Sequence, residues 1–227
     1  MTASVRTDIS RYDQKLEFIL RTSARIFAEK NYHSTSMRDI SRATDVSLAG
    51  LYHYCKSKEE LLFLIQDNCF GRVLERLEER LRETSDPTAK LRVLIDNHLS
   101  FFVANMAEMK VLSHEADSLE GDLHKHVSNK KRQYTRLARK ILSELPRTAD
   151  SSRPGAGTHD LTLATYALFG MMNWIYNWYD PSGKLSVSQL VDNITRLFLS
   201  GFLSRANGSL ALADSGRAEK MSVWRTA

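Results

Sequence analysis

The sequence predicts an all-α protein, and three observations carry that prediction. Its 227 residues include only 10 glycines and 4 prolines, so few positions interrupt a helix. Apolar residues recur every three or four positions rather than every second one, which is the period of a helix face. Serine followed three residues later by an acid opens two of these runs, the pattern of a capped helix start.

In chain order, a first helix is expected from about Asp13 to Lys30, with Leu16, Ile19, Leu20 and Phe27 along one face, and Asn31 to Thr35 ends it. The segment SMRDISRATD makes a short helix with Ser36 and Asp39 as its capping box. The chain then turns at Asp45 and Val46, and Ser47 caps a third helix, LAGLYHYC. Ser57 and Glu60 repeat the same logic and open a long helix, where Leu62, Ile65, Cys69, Val73, Leu77 and Leu81 stack about one turn apart. That helix ends near Thr84, ahead of SDP. Further helices are expected from Thr88 to Ala104, Met106 to Asp117, Gly121 to Leu145, His159 to Tyr179 and Val187 to Arg205. Pro146 to His159 is a loop rich in helix breakers, and the stretch after Arg205 loses all periodicity. The expected organisation is an arm at 1–12, a small domain at 13–60, a larger helical domain at 61–205 and a mobile tail at 206–227.

A hydrophobic fraction of 42% is enough for an ordinary core. Cys55 and Cys69 have no partner at metal-binding spacing, which argues against a disulfide framework and for a reducing compartment. The N-terminus lacks an apolar signal region, and no apolar run approaches the roughly 18 residues of a membrane span. A cytoplasmic protein without a membrane partner is expected. The net charge of +5 and pI near 9.2 are compatible with nucleic acid but do not establish it. Seven lysines and arginines fall between Lys125 and Lys140 with no acid among them.

Enzyme readings find little support. There is no glycine-rich phosphate loop and no nucleophile elbow. His98, His114, His124 and His126, with Glu115 and Asp117, are metal-ligand types, but His124 and His126 are two apart and lie on different faces of a helix. Neither a catalytic residue, a metal nor a cofactor is expected.

Two short capped helices joined by a tight turn have the geometry of a helix-turn-helix, whose second helix fits a major groove about 12 Å wide. Thr35, Ser36, Thr44 and Ser47 are short hydroxyl donors placed near helix starts, with Arg38, Arg42, Lys56 and Lys58 around them. On spacing alone, a second reading stands beside this one: Tyr52 and Tyr54 as core aromatics and the hydroxyls as plain caps.

The run TSMRDISRATDVSLAGLYHYCKSKEELL, with the preceding helix that ends in FAEKNYHSTSM, resembles the N-terminal helix-turn-helix of the TetR family of transcriptional regulators. The resemblance implies that Ser36, Thr44, Ser47, Tyr52, His53 and Lys58 contact DNA, mostly its backbone. It departs at Leu48, Ala49 and Gly50, where the family often has a basic residue, a glycine and a small hydroxyl, and at Cys55, where phenylalanine is usual. Bidentate guanine readout from Leu48 or Gly50 is therefore impossible. Base selection is expected from thymine-methyl contacts along Leu48, Ala49 and Gly50, from Arg38 and His53, and from DNA shape. Gly50 is expected to let the helix approach the groove closely.

The resemblance also implies a homodimer on an inverted-repeat DNA operator and a C-terminal domain that binds a small effector, most simply as a repressor released by it. Leu190, Ile194, Leu197, Phe198 and Phe202 form a stripe expected at the dimer interface. The segment from Met171 to Phe202 resembles TetR-type regulators that answer to fatty acyl-CoA. Phe101, Phe102, Met106, Met109, Met171, Trp174 and Trp178 are the expected lining of an apolar tunnel, and Arg132 and Arg136, with Lys131 or Arg139, the expected holders of the nucleotide phosphates. The alternative is a helical small-molecule binding protein without DNA-binding activity.

Overall fold

Serine and aspartate caps fix where most of the helices begin. The computed structural model describes residues 10–115, 117–145 and 158–203, with side chains for all of these except 158–160 and 201–203. The expected arm, the loop at 146–159 and the tail lie wholly or mostly outside the described residues. Nine α-helices are found among them: α1 (Arg11–Lys30), α2 (Met37–Thr44), α3 (Leu48–Tyr54), α4 (Lys58–Arg82), α5 (Pro87–Val103), α6 (Met106–His114), α7 (Gly121–Glu144), α8 (Thr158–Asn173) and α9 (Val187–Leu203). Ser10, Ser36, Ser47, Ser57 and Asp86 each accept a bond from the amide three residues on. Ser36 and Asp39 close the expected capping box, and Ser186 and Gln189 form a second one before α9.

Two helices end earlier than their periodicity predicts. The helix expected to reach Tyr179 stops at Asn173 and tightens into a 3₁₀ turn, Trp174–Asn177. Pro181 lacks the amide needed to continue and disfavours helix at Asp180. The turn is locked instead by the Tyr179 hydroxyl donating to the Leu185 carbonyl at 2.9 Å. The helix α6 closes at Glu115, whose amide donates to the Val111 carbonyl at 2.9 Å.

The helices gather around two cores. The first joins Ile19, Ala24 and Phe27 of α1, Ile40 of α2, Leu51 of α3 and Leu61, Leu62 and Ile65 of α4. It also takes in Val111 of α6, Leu119, and Val127 of α7. The second core lies between the later part of α4 and α5, α7, α8 and α9. α4 runs through both. At the seam between them, Gln66 Nε2 donates to the Glu115 carbonyl at 2.9 Å, and Glu59 Oε1 accepts from the Glu120 amide at 3.1 Å. Lys130 Nζ lies 2.5 Å and His126 Nε2 2.8 Å from Asp67 Oδ1, which pins α7 to α4.

Candidate DNA-binding face and basic groove

Three residues between α2 and α3 make the turn. Asp45 ends α2 in the left-handed conformation, with φ of 50°, a cost that a short polar side chain tolerates better than most. The Ser41 hydroxyl donates to the Val46 carbonyl at 2.6 Å and stitches the turn to α2. Ile40 and Leu51, both fully buried, set the two helices against α1 and α4. Leu51 of α3 and Cys55 just after it face inward, while Ala49, Tyr52 and His53 are exposed and Leu48 and Gly50 half-buried. Leu48 and Tyr52, like Ala49 and His53, are four apart, so these residues share the outer side of the helix. Ser36 and Arg38 at the start of α2, and Ser47 at the start of α3, are exposed as well.

The N-terminal end of α1 reaches this face, a feature the sequence reading missed. The Tyr12 ring stacks on Tyr54 with 4.8 Å between centroids and meets His53 edge-on at 6.1 Å. Such pairs add about 0.5–1.5 kcal/mol beyond area burial. Tyr54 is thereby held against α1 while Tyr52, 49% exposed, is left outward. An aromatic one residue inside the start of a long helix was the available signal.

Other expected residues are placed differently. Thr44 closes α2 instead of opening a helix; it is buried and its hydroxyl donates to the Ile40 carbonyl at 2.8 Å, so it has no access to a phosphate. Lys58 Nζ donates to the carbonyls of Tyr32 and Thr35, each at 2.9 Å, and lies 4.4 Å from the Tyr32 ring centroid. Its ammonium is committed to closing the α1–α2 turn rather than to DNA. Gly50 has an internal reason for lacking a side chain: a Cβ there would stand 3.0 Å from Val46 Cγ1 and 3.1 Å from Ser47 Oγ. Thr35, too, is buried, donating to the Asn31 carbonyl at 2.8 Å.

On the C-terminal half, α7 turns a basic face toward α8. An open groove of about 940 Å³ lies there, lined by Lys125, Lys131, Arg132, Arg136 and Arg139 of α7 and by Thr162, Thr165 and Tyr166 of α8. Among the described residues, Lys131, Arg132, Arg136 and Arg139 have no carboxylate partner, so the groove keeps a positive potential that suits an anion. Lys130 leaves this face for Asp67.

The expected apolar tunnel is not formed by the residues chosen for it. Phe102 and Met109 are packed into the second core, 4% and 2% exposed, whereas Trp174 and Trp178 stand on the surface at 61% and 53%. Phe101, Met106 and Met171 are half-buried. The break after Asn173 is the physical reason: the 3₁₀ turn buries Ile175 and turns both indoles outward. The expected dimer stripe is corrected in the same way. Leu190, Ile194 and Phe198 are buried in the chain's own core against α5, and only Leu197 of that set is exposed. The side chain of Phe202 lies outside the described residues. Among the described residues, the exposed large apolar side chains of this half are Leu163 and Tyr166 on α8, Trp174 and Trp178 in and just after the 3₁₀ turn, and Leu197 on α9.

Two family descriptions match the chain in the regions just described. Residues 19–65 match "Bacterial regulatory proteins, tetR family", and residues 84–202, more than half of the chain, match "Tetracyclin repressor-like, C-terminal domain". The chain belongs to the TetR family. The first TetR match spans α2 and α3 and favours a DNA-binding helix pair over a purely structural bundle. Among TetR-family relatives, the fatty acid metabolism regulator protein of Bacillus subtilis is 25% identical over 81% of this chain and 93% of its own length. The transcriptional repressor KstR2 of Rhodococcus jostii is 26% identical over 91% of this chain and 100% of its own. A TetR-family regulator from Bordetella parapertussis superposes with a TM-score of 0.76 at 28% identity, covering 88% of this chain and 98% of that one. AibR, solved in complex with isovaleryl coenzyme A and operator DNA, superposes at 0.68 with 27% identity, covering 81% and 97%.

Among the described residues no helix is long and apolar enough to cross a membrane, and no three His, Cys, Asp or Glu residues are grouped to hold a metal ion. Both cysteines are buried, and burial pushes the thiol of Cys55 up to about 11 and that of Cys69 up to about 12, which leaves neither reactive.

Proposed function

We propose that this regulator is a homodimeric repressor that binds an inverted-repeat operator through α3 and leaves it when a fatty acyl-CoA binds its C-terminal half. The observation that carries this reading is the pairing, in one TetR-family chain, of an outward Tyr52–His53 face with a groove on the effector half in which Lys131, Arg132, Arg136 and Arg139 have no carboxylate partner among the described residues. Ser36, Ser47, Tyr52 and His53 supply phosphate contacts; Leu48, Ala49 and Arg38 supply what base contact there is. Arg132, Arg136, Lys131 and Arg139 bind the phosphates of the nucleotide end. The AibR complex with isovaleryl coenzyme A and operator DNA and the fatty acid metabolism regulator support the same effector class. Leu163, Tyr166, Trp174 and Leu197 form the surface that a second copy covers. Release requires that the ligand favour a dimer whose two α3 helices no longer match the half-site spacing.

The test is a band shift on the DNA upstream of the regulated gene, at two salt concentrations, with and without palmitoyl-CoA. A complex that weakens steeply with salt and dissociates with palmitoyl-CoA supports the reading. Absence of any footprint at low salt overturns the DNA-binding part, and a complex indifferent to a series of acyl-CoAs overturns the effector part.

A further inference from the structure

Behind the basic groove, polar side chains from α5 and α7 meet where water does not reach. Asn97 and His98 of α5 are 0% and 3% exposed, and Tyr134 of α7 is 4% exposed. Asn97 Nδ2 donates to the Val73 carbonyl at 2.9 Å, which fixes its amide. The Tyr134 hydroxyl lies 3.3 Å from His98 Nδ1, and the rings of Phe102 and Phe169 flank the imidazole at 4.7 and 5.8 Å between centroids. Among the described residues, His98 Nε2 and Asn97 Oδ1 then meet no hydrogen-bond partner at proper geometry; the Asn173 side chain of α8 is near enough to the imidazole to offset part of the effect of burial on it, and the Asn97 side chain stands likewise beside the Tyr134 hydroxyl. Unpartnered buried atoms of this kind are few in native proteins, and each needs an occupant or a reason.

The character of that occupant follows from the surroundings. Burial pushes the His98 pKa down to about 3, so the imidazole is neutral near pH 7 and offers a hydrogen bond without a compensating charge for a buried anion. The rings around it are uncharged. The cluster is also close to the groove: Tyr134 shares a turn of α7 with Lys131 and Thr135, which line it, and Phe169 is one turn, roughly 6 Å, along α8 from Thr165 on the groove floor. A molecule with its charged end on the α7 cations would bring its apolar part to His98 by passing between α7 and α8, past Tyr134 and Phe169.

We infer that His98 Nε2, oriented by the Tyr134 hydroxyl, is a polar anchor for an uncharged oxygen of the effector, either the thioester carbonyl or a hydroxyl or keto group on the acyl chain. The inference rests on the acyl-CoA reading for the ligand's charged end, and on the unpartnered imidazole for the rest. An oxygen there completes the one bond His98 lacks, while an apolar chain alone leaves it unmade. The anchor therefore selects among acyl groups by where they carry oxygen rather than by length alone.

Calorimetry on the full-length dimer tests it, with palmitoyl-CoA and 3-hydroxypalmitoyl-CoA as probes and wild type, His98→Leu and His98→Gln as proteins. His98→Leu is expected to weaken ester binding about tenfold, the loss typical of one buried hydrogen bond, and His98→Gln to recover most of it. A larger loss for the hydroxylated ester places the oxygen on the chain; an equal loss places it at the thioester. Unchanged affinity of His98→Leu for both esters overturns the anchor and leaves a packing defect or a buried water in its place. If wild type binds neither ester, the acyl-CoA reading fails, and thermal shifts with 1-decanol and 2-decanone decide the anchor separately. A rise in melting temperature in wild type but not in His98→Leu supports it, and equal rises or none overturn it. Should His98→Leu fail to dimerise, Tyr134→Phe removes only the orienting hydroxyl: binding weakened about threefold supports the anchor, and wild-type affinity overturns it.

Discussion

Lys58 lies at the first position of α4, yet its ammonium reaches back to the carbonyls of Tyr32 and Thr35. Its removal is therefore expected to act through the fold: Lys58→Met should cost about 1–2 kcal/mol of stability, the worth of charge-assisted bonds at a partly exposed site, read as a lower urea midpoint. Tyr52 and His53 behave oppositely. Tyr52→Ala should leave the melting temperature within a degree or two and weaken operator binding about tenfold by anisotropy. Gly50 tests the close-packing account of α3. Glycine to alanine inside a helix normally gains about 0.5–1 kcal/mol, but here the new Cβ meets Val46 Cγ1 and Ser47 Oγ at 3.0 and 3.1 Å. Gly50→Ala should melt at or below the wild-type temperature, and a clear rise would show that the position is free for alanine. For His98, whose pKa falls from an ordinary value near 6.5 to about 3 in the fold, the unfolded chain binds the proton that the native chain refuses. The native state is thus favoured above about pH 6.5 and loses stability as pH falls below it, by roughly 2 kcal/mol at pH 5. Comparing wild type with His98→Leu by denaturation at pH 7 and pH 5 isolates that share.

At the scale of elements, the groove and the exposed apolar stripe are separate surfaces that meet at Tyr166. Charge reversal at Arg132 and Arg136 together should lower nucleotide-end affinity at least tenfold and flatten its salt dependence, with the dimer intact. Leu163→Glu combined with Leu197→Glu should instead yield monomers by light scattering and abolish operator binding. The helices themselves were legible in the sequence because caps and periodicity are local: Ser36, Ser47 and Ser57 each open the helix expected of them. What lies opposite a face is not local. The stripe Leu190–Ile194–Phe198 reads as apolar whether α5 or a second chain covers it, and in the fold α5 does. Trp174 and Trp178 misled for a related reason, since a run of aromatics gives no sign that the helix stops at Asn173 and swings them outward. Thr44 and Lys58 fall where the resemblance implies DNA contact, but their hydroxyl and ammonium find carbonyls of the same chain first.

Across the whole molecule, the two cores are joined by α4 and by a seam at which Gln66 holds the Glu115 carbonyl and Asp67 holds Lys130 and His126. Any effector-driven change on α7 has this seam in its path to the DNA-binding face. Removing one bond there should alter communication more than either end: Gln66→Leu is expected to retain operator and effector affinities measured separately while reducing the factor by which one ligand weakens the other, by several-fold. Titrations of effector with and without operator give that factor directly. The first core has a further consequence for how such proteins can be recombined. Because Val111, Leu119 and Val127 complete the packing around α1 and α4, a reading head cut near residue 60 would carry an open apolar wound. A working chimera with another regulator must therefore transplant the stretch from α6 into the first turns of α7 along with the head, two pieces of sequence that pack as one part.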